Sequence, residues 1–378
     1  MNIVMSADCF YPAQMGGPSN AIYWQAKALT MAGHDVTVVA TSQSLPSSIQ
    51  LDRWLTLDCG RVIYTKNPHF YLPIKHIRYG WQAMRTAEVV HVNSLFYPAS
   101  LAWVFMGLLL RKPIVWSPHG ELSPVALRFR PRLKRLLLNA FRLFRSFLYF
   151  HATSEAETAY IRQHFGVDAQ VGEIPNTMEL SSPVARVARP YLLFMGRLHP
   201  IKAIDRLLDA LSTSPLFLNS EYSLIIAGPV ADKAYSSFLH ERVDTLKLSA
   251  KVTFPGPVYG EQKEQLYADA RLLILPSHSE NFGNVVIESL AQGTPVVAST
   301  NTPWQILETE RAGRWVSNDT DPLRQAVDQF IAMPSEGYTL FRTRALKLAR
   351  QRFDNRSNVM QWEQFYETVR KKTRDITY

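Results

Sequence analysis

The chain has 378 residues, of which 47% are hydrophobic and 19% charged. That balance excludes a disordered or fibrous protein and allows two domains with separate cores. The formal net charge of +9 points to acidic partners such as nucleic acid, anionic lipid or a phosphorylated substrate.

The opening "MNIVMSADCFYP" has no basic region followed by an apolar run, so it does not read as an export signal. "NIVMSA" reads as a strand, "DCFYPAQMGGPS" as a Gly/Pro loop, and "NAIYWQAKALTMAG" as a helix capped at Ser19 and ended by Gly33. "HDVTVVAT" is the next strand, so the chain opens on a βαβ unit. Further strands are expected at 88–93, 112–117 and 149–154. The apolar run 98–110 is too short for a bilayer and reads as a buried helix. Cys9 and Cys59 lack metal-type spacing and read as reduced cytosolic thiols.

The Pro- and Ser-rich stretch 174–190 reads as an interdomain linker. The pattern then restarts, with strands expected at 191–196, 222–228, 251–256, 270–277 and 294–299 and helical segments between them. The fold class expected is α/β: two Rossmann-like, doubly wound domains facing a cleft, residues 1–180 and 181–354. A last helical stretch, 355–378, is offered as a brace for the two halves.

Ligands of open α/β sheets lie beyond the carboxyl ends of the strands, so the residues after each strand are the candidates. After "YLLFMG", which ends in Gly196, come Arg197, Pro200 and Lys202. Pro200 suits a first helical turn, and cations there oppose the helix dipole unless an anion lies between them. A diphosphate would be such an anion; a solvated basic loop is the plainer alternative. After "ARLLILPS" comes "HSENFGNVVIESLA". Gly283 and Asn284 read as a helix start that leaves the amides of Phe282, Gly283 and Asn284 for oxygen ligands. Wholly helical spacing would set Glu280 and Glu288 about 12 Å apart, too far to share one proton. The alternative for Glu288 is an exposed helix face, but the apolar residues around it favour a buried acceptor. His119 follows the strand "KPIVWS", where a structural and a ligand-binding histidine are equally good readings. Gly16 and Gly17 suit close backbone approach to phosphate or acceptor, or a plain turn. Asn93 ends a strand and is left unassigned. "DTD" at 319–321 reads as a helix start rather than a metal site.

The string "ENFGNVVIE" resembles the E-x7-E motif of retaining glycosyltransferases of family 4, which have the two-domain GT-B fold. The likeness extends to "GRLHPIK", to "FPGPV" and to the glycines at 16 and 17, in order along the whole chain. It implies that Glu280 and the amides through Val285 hold the donor sugar, and that Glu288 takes the ribose hydroxyls. It likewise implies that Arg197, Lys202 and the Gly17 loop grip the diphosphate. Pro257 and Val258 would then face the base, and His119 would lie beside the donor sugar. Two departures stand out: Thr177 follows Asn176 where the family often has Gly, and Ala203 follows Lys202 where Gly is common.

The activity expected is transfer of a hexose from a nucleotide-diphosphate sugar to a saccharide acceptor, with retention inferred from the family. No cofactor and no obligatory metal are expected. A sugar-nucleotide epimerase of the same fold, needing no acceptor, is the first alternative, and a two-lobed sugar-binding protein the second. Nucleic acid fits less well, because the basic stretch lacks the aromatic and glycine pattern of the known modules. That stretch, 122–150, has seven Lys or Arg and no acid. On a helix from Pro131, Leu133, Leu136, Leu137, Ala140, Phe141, Phe144 and Phe147 fall on one half and the cations largely on the other. Such a helix either packs on the sheet or docks on an anionic membrane. Docking would suit a peripheral cytoplasmic enzyme, on the inner face of the cell membrane, with a lipid-linked acceptor of glycan, polysaccharide or lipopolysaccharide synthesis.

Overall fold

Runs of β-branched and aromatic residues, apolar on both faces, can be buried only in sheets that are covered on both sides. The structure, a computed structural model, describes residues 1–13, 17–183 and 188–377. It resolves into two such sheets, in two units: Met1–Glu179 with Asp354–Tyr378, and Leu180–Phe353.

The first unit holds β1 (Asn2–Ala7), β2 (Asp35–Thr41), β3 (Trp54–Leu57), β4 (Gly60–Thr65), β5 (Val89–Asn93), β6 (Ile114–Ser117), β7 (Leu148–Ala152) and β8 (Gln170–Glu173). Their order is β3-β4-β2-β1-β5-β6-β7-β8. All pairs are parallel except β3 with β4. Alternation along β1 sends Val4 into one core with Val92, Trp116 and Phe150, and Ile3 and Met5 into another on the opposite face. The C-terminal helix, Asn355–Thr377, belongs to this unit and buries Trp362, Tyr366 and Val369 in the second core.

The second unit holds β9 (Tyr191–Met195), β10 (Ser223–Ala227), β11 (Val252–Gly256), β12 (Leu272–Leu275), β13 (Val296–Ser299) and β14 (Gly313–Val316). The order is β11-β10-β9-β12-β13-β14, all parallel. From β9 the chain builds outward to β11 and then restarts at β12 on the other side of β9. The order therefore reverses between β9 and β12, and between β1 and β5 in the first unit; these are the crevices where open sheets bind ligands.

Local departures from the sequence reading have simple causes. The first helix starts at Gly17, so Ser19 lies inside it, while Gly16 falls outside the described residues. The helix Pro98–Leu109 is buried on one side only and leaves Phe105 and Leu109 at 66% and 65% exposure. Of the expected linker, 184–187 fall outside the described residues, whereas Thr177 is tied to Asn355 at 2.5 Å within the first unit.

Candidate active site

Strand β9 ends at Met195, and the chain passes through Gly196 and Arg197 into a 3-10 turn, Pro200–Lys202. The following helix starts only at Ile204, so Lys202 precedes it rather than sitting in its first turn. Between them Ala203 takes φ 50°, left-handed backbone that glycine adopts without cost. This is the physical reason glycine suits the position. The first helical amides, of Ile204 and Asp205, are capped by the Tyr235 hydroxyl. The cations therefore stand in the turn ahead of the helix, not over its first amides.

Lys202 bends toward the neighbouring strand end, where its Nζ is ion-paired with Glu280 Oε1. The two side chains are 15% and 11% exposed, so the pair is largely withdrawn from water. Ser277 donates its hydroxyl to the same oxygen at 2.9 Å. Gly196 lies against this lysine: a Cβ there would meet Lys202 Cε at 4.0 Å and the Phe194 ring at 3.3 Å. Gly228, after β10, packs so closely that a Cβ would stand 1.9 Å from the Gly196 carbonyl oxygen. Arg197 is exposed and has no ion pair among the described residues.

The loop after β12 turns into the helix Asn284–Ala291 at Gly283, whose φ of 87° only glycine adopts freely. Phe282 is buried, and its carbonyl accepts from the Trp304 indole N–H, with the rings 5.1 Å apart edge to face. Its side chain is thus a wedge for the loop, and its contribution to a ligand is limited to backbone. Val285 and Asn284 form the half-buried first turn. Glu288 accepts from Lys263 Nζ and from the Tyr267 hydroxyl, both at 2.7 Å. Tyr267 is fully buried, but Glu288 itself is only partly so, its side chain 20% exposed, and both partners are ones the sequence reading missed. Pro257 and Val258 follow β11; Pro257 is exposed and Val258 buried.

In the first unit His119 leaves the end of β6 with φ 51° and its Nε2 lies 2.7 Å from Asn93 Oδ1 at the end of β5. Asn93 Nδ2 donates to the Ser6 carbonyl at 2.8 Å, which turns Oδ1 toward the imidazole. The loop is held by two carboxylates, the buried Glu157 and the half-buried Glu121. Glu157 accepts from the Gly120 amide at 2.6 Å, and Glu121 accepts from Ser94 Oγ at 2.8 Å and from the Leu95 and Phe96 amides. Burial raises both carboxyls above their usual range despite these bonds. Burial, aided by nearby His151, pushes the His119 imidazole down to about 3, so it is neutral at physiological pH. Gly17 is the first residue of its helix, following the β1 loop.

The basic stretch forms a helix over Pro131–Arg142 that starts from Arg130 at φ 52° and ends before a separate 3-10 turn, Arg145–Phe147. Its packed side centres on Leu138 and Phe141, with Phe141 edge-on to Trp116 at 4.7 Å. The half expected to pack is thereby split: Phe141 packs and Leu137 is half-buried, while Leu133 and Leu136 are exposed. Lys134 is drawn inward, with Nζ 4.6 Å from the Phe96 ring centre and donating to the Ala126 carbonyl.

Asp319 occupies the N-cap position of the helix Thr320–Ala332 and accepts from the Ser317 hydroxyl at 2.8 Å. Among the described residues no three His, Cys, Asp or Glu side chains are grouped as metal ligands.

Comparison with known proteins agrees with this geometry. Residues 15–182 match the family model Glycosyltransferase Family 4, and residues 180–347 match Glycosyl transferases group 1. The D-inositol 3-phosphate glycosyltransferase of Mycolicibacterium smegmatis is 41% identical over 107 residues, 28% of this chain and 24% of that relative. The protein of the same name from Rhodococcus opacus is 30% identical over 172 residues, 39% of this chain and 37% of that relative. The chain thus spans between 24% and 37% of the length of these curated relatives. Among solved structures, Anabaena HepE in complex with UDP and glucose superposes with a TM-score of 0.76 at 20% identity, covering 98% of this chain and 99% of that one. Sucrose-phosphate synthase from Thermosynechococcus elongatus gives 0.76 at 21%, with the same coverage. Two Rossmann-like units of this topology define a GT-B protein. The chain belongs to glycosyltransferase family 4.

Proposed function

We propose that the protein transfers a hexose from a nucleotide-diphosphate sugar to a saccharide acceptor, with retention and without an obligatory metal. The observation that carries this reading is the Lys202–Glu280 pair at the β9/β12 switch point. It sets a cation for the leaving diphosphate beside a carboxylate for the donor sugar, at the junction where the bond breaks. Lys202 and Arg197 offset the charge that develops on the leaving group. Glu280 and the backbone from Phe282 to Val285 hold the sugar, Glu288 takes the ribose, and Pro257 and Val258 lie along the base. Gly17 and His119 serve the acceptor-side unit.

The acceptor in this reading is lipid-linked, and the enzyme works on an anionic membrane surface. From residue 59 to 154 there are fourteen Lys or Arg and only two acids, Glu88 and Glu121. Glu88 is paired with Arg370, and Glu121 is turned inward onto the Ser94 loop. The same region exposes Phe129 at 69%, Leu136 at 66% and Leu143 at 79%. Lys75 and Arg145 are paired with Asp52 and Asp168, but Arg128, Arg130, Arg132 and Arg135 have no ion pair among the described residues, and apolar side chains among such cations suit an anionic interface. No helix among the described residues is long and apolar enough to cross a membrane.

The test is a panel of sugar nucleotides led by UDP-glucose, following release of the nucleoside diphosphate with and without saccharide acceptors. Turnover that depends on an acceptor supports transfer. Interconversion of the free donor alone supports the epimerase, and binding without turnover a sugar-binding protein.

A further inference from the structure

Two buried histidines, His91 and His151, meet the half-buried His119 at the end of β6, and the donor-site reading leaves His91 and His151 without a role. Their hydrogen bonds run in one direction only. His151 Nε2 lies 2.8 Å from the Ile174 carbonyl, which only accepts, so this nitrogen carries the proton. His151 Nδ1 is then bare and accepts from the Ser117 hydroxyl at 2.8 Å. With its proton committed, Ser117 Oγ accepts from His91 Nε2–H at 2.6 Å. His91 Nδ1 is bare in turn and accepts from the Tyr366 hydroxyl at 2.6 Å and from Gln25 Nε2 at 3.2 Å, and the Tyr366 oxygen accepts from Gln25 Nε2 at 2.9 Å. Each group fixes the proton position of the next.

This chain is built into the support of His119. Asn93 and Ser117 are register partners on β5 and β6; Asn93 accepts from His119, and Ser117 stands two residues before it. The His151 ring lies 6.4 Å from His119 and 4.5 Å from Trp362, one helical turn before Tyr366 on the C-terminal helix. Gln25, His119, His151, Asn176, Thr177 and Trp362 line a cavity of about 10 Å³, room for one water-sized group. A neutral chain with one proton order costs little to bury only while every member keeps its partner.

We propose that Tyr366 is a positioning residue for His119: through His91, Ser117 and His151 it holds the strand end from which the His119 loop departs. The C-terminal helix thereby completes the acceptor-side site. The functional weight of this inference rests on the role given to His119 above, but its physical content does not.

The test is long-range proton–nitrogen correlation NMR on the full chain with nitrogen-labelled histidine, near neutral pH. Wild type is expected to show His91, His119 and His151 each as a single Nε2–H tautomer. Tyr366→Phe, folded by circular dichroism, is expected to keep His91 as Nε2–H, since Ser117 and Gln25 still hold it, but to shift the His91 Nδ1 and the His119 resonances. Ser117→Ala cuts the chain at its middle and is expected to shift both His151 and His119, which keeps the test available if Tyr366→Phe fails to fold. Unchanged His119 resonances in a folded variant of either kind would overturn the proposal. No sugar nucleotide enters the measurement, so its failure is distinct from failure of the transferase reading.

Discussion

Lys202 and Glu280, 78 residues apart in sequence, form one withdrawn ion pair across the neighbouring ends of β9 and β12. Neither strand end could hold its charge alone at that depth, because a largely buried ion needs a partner. Each residue therefore keeps the other extended into the crevice at the switch point. In the transferase reading, this contact couples the phosphate-side and sugar-side roles before any donor arrives.

Glu288 stands at the other end of the candidate donor site, satisfied by Lys263 and Tyr267. A ribose bound there is held equally in ground and transition states, so Glu288→Gln should raise the donor KM, by roughly tenfold for one lost charge-assisted bond, with a smaller change in kcat. Steady-state kinetics decide this. A fall in kcat at constant KM would place Glu288 at the reacting centre instead.

Trp304 wedges the loop that carries Glu280, through its bond to the Phe282 carbonyl and its ring contacts with Phe282 and Phe353. Trp304→Ala should cost roughly 3–5 kcal/mol of stability in denaturant titrations, the usual loss for a buried large aromatic side chain. Donor binding should weaken in the same variant. Donor affinity that survives the full loss of stability would show that the loop is ordered by other contacts.

Burial pushes the imidazoles of His76, His119 and His151 down to about 3, about 3 and about 4. The unfolded chain protonates near 6.5, so below that pH it gains protons that the folded protein refuses. Stability is complete above about pH 6.5 and falls on acidification, by about 1.4 kcal/mol per pH unit for each histidine still neutral. His76 has neither ring nitrogen hydrogen-bonded, so His76→Phe should flatten the fall of Tm between pH 7 and 5 without removing a bond. The difference between the two proteins isolates the imidazole from Glu121 and Glu157, whose raised carboxyls act in the opposite sense. Parallel Tm curves would contradict the assignment.

Sedimentation with vesicles tests the membrane reading. The protein should co-sediment with anionic vesicles at low salt and leave them at high salt, since exposed charges are screened over about 10 Å at 0.1 M. Arg128, Arg130, Arg132 and Arg135 are the cations to replace, because Lys134 is held inward. Equal sedimentation with neutral and anionic vesicles, or none with either, would refute it.

The sequence shows the parallel strands well because each is a compact apolar run that must be buried whole. It does not show the β3–β4 hairpin, β8 or β14; the short strands "WLTL", "QVGE" and "GRWV" are only partly buried. The placement of Glu280, Lys202 and His119 after strand ends, and of Glu288 in the helix that follows β12, follows from local pattern. What supports them does not. Trp304, Tyr267, Asn93 and Glu157 reach their partners across 21 to 37 residues and carry no local signal. Ala203 is a reverse case, where a departure from the family pattern became intelligible once its left-handed backbone was seen.

The most direct measurement is release of nucleoside diphosphate from the best sugar-nucleotide donor, in excess EDTA, by wild type, Lys202→Ala and Glu280→Gln. If Lys202 supports the leaving diphosphate and Glu280 the sugar, wild type stays active in EDTA. Each variant then loses roughly 10²- to 10³-fold in kcat, the range for removing one preorganised electrostatic contact. Folded variants that turn over at the wild-type rate, or a wild type silenced by EDTA and restored by manganese, would contradict the account.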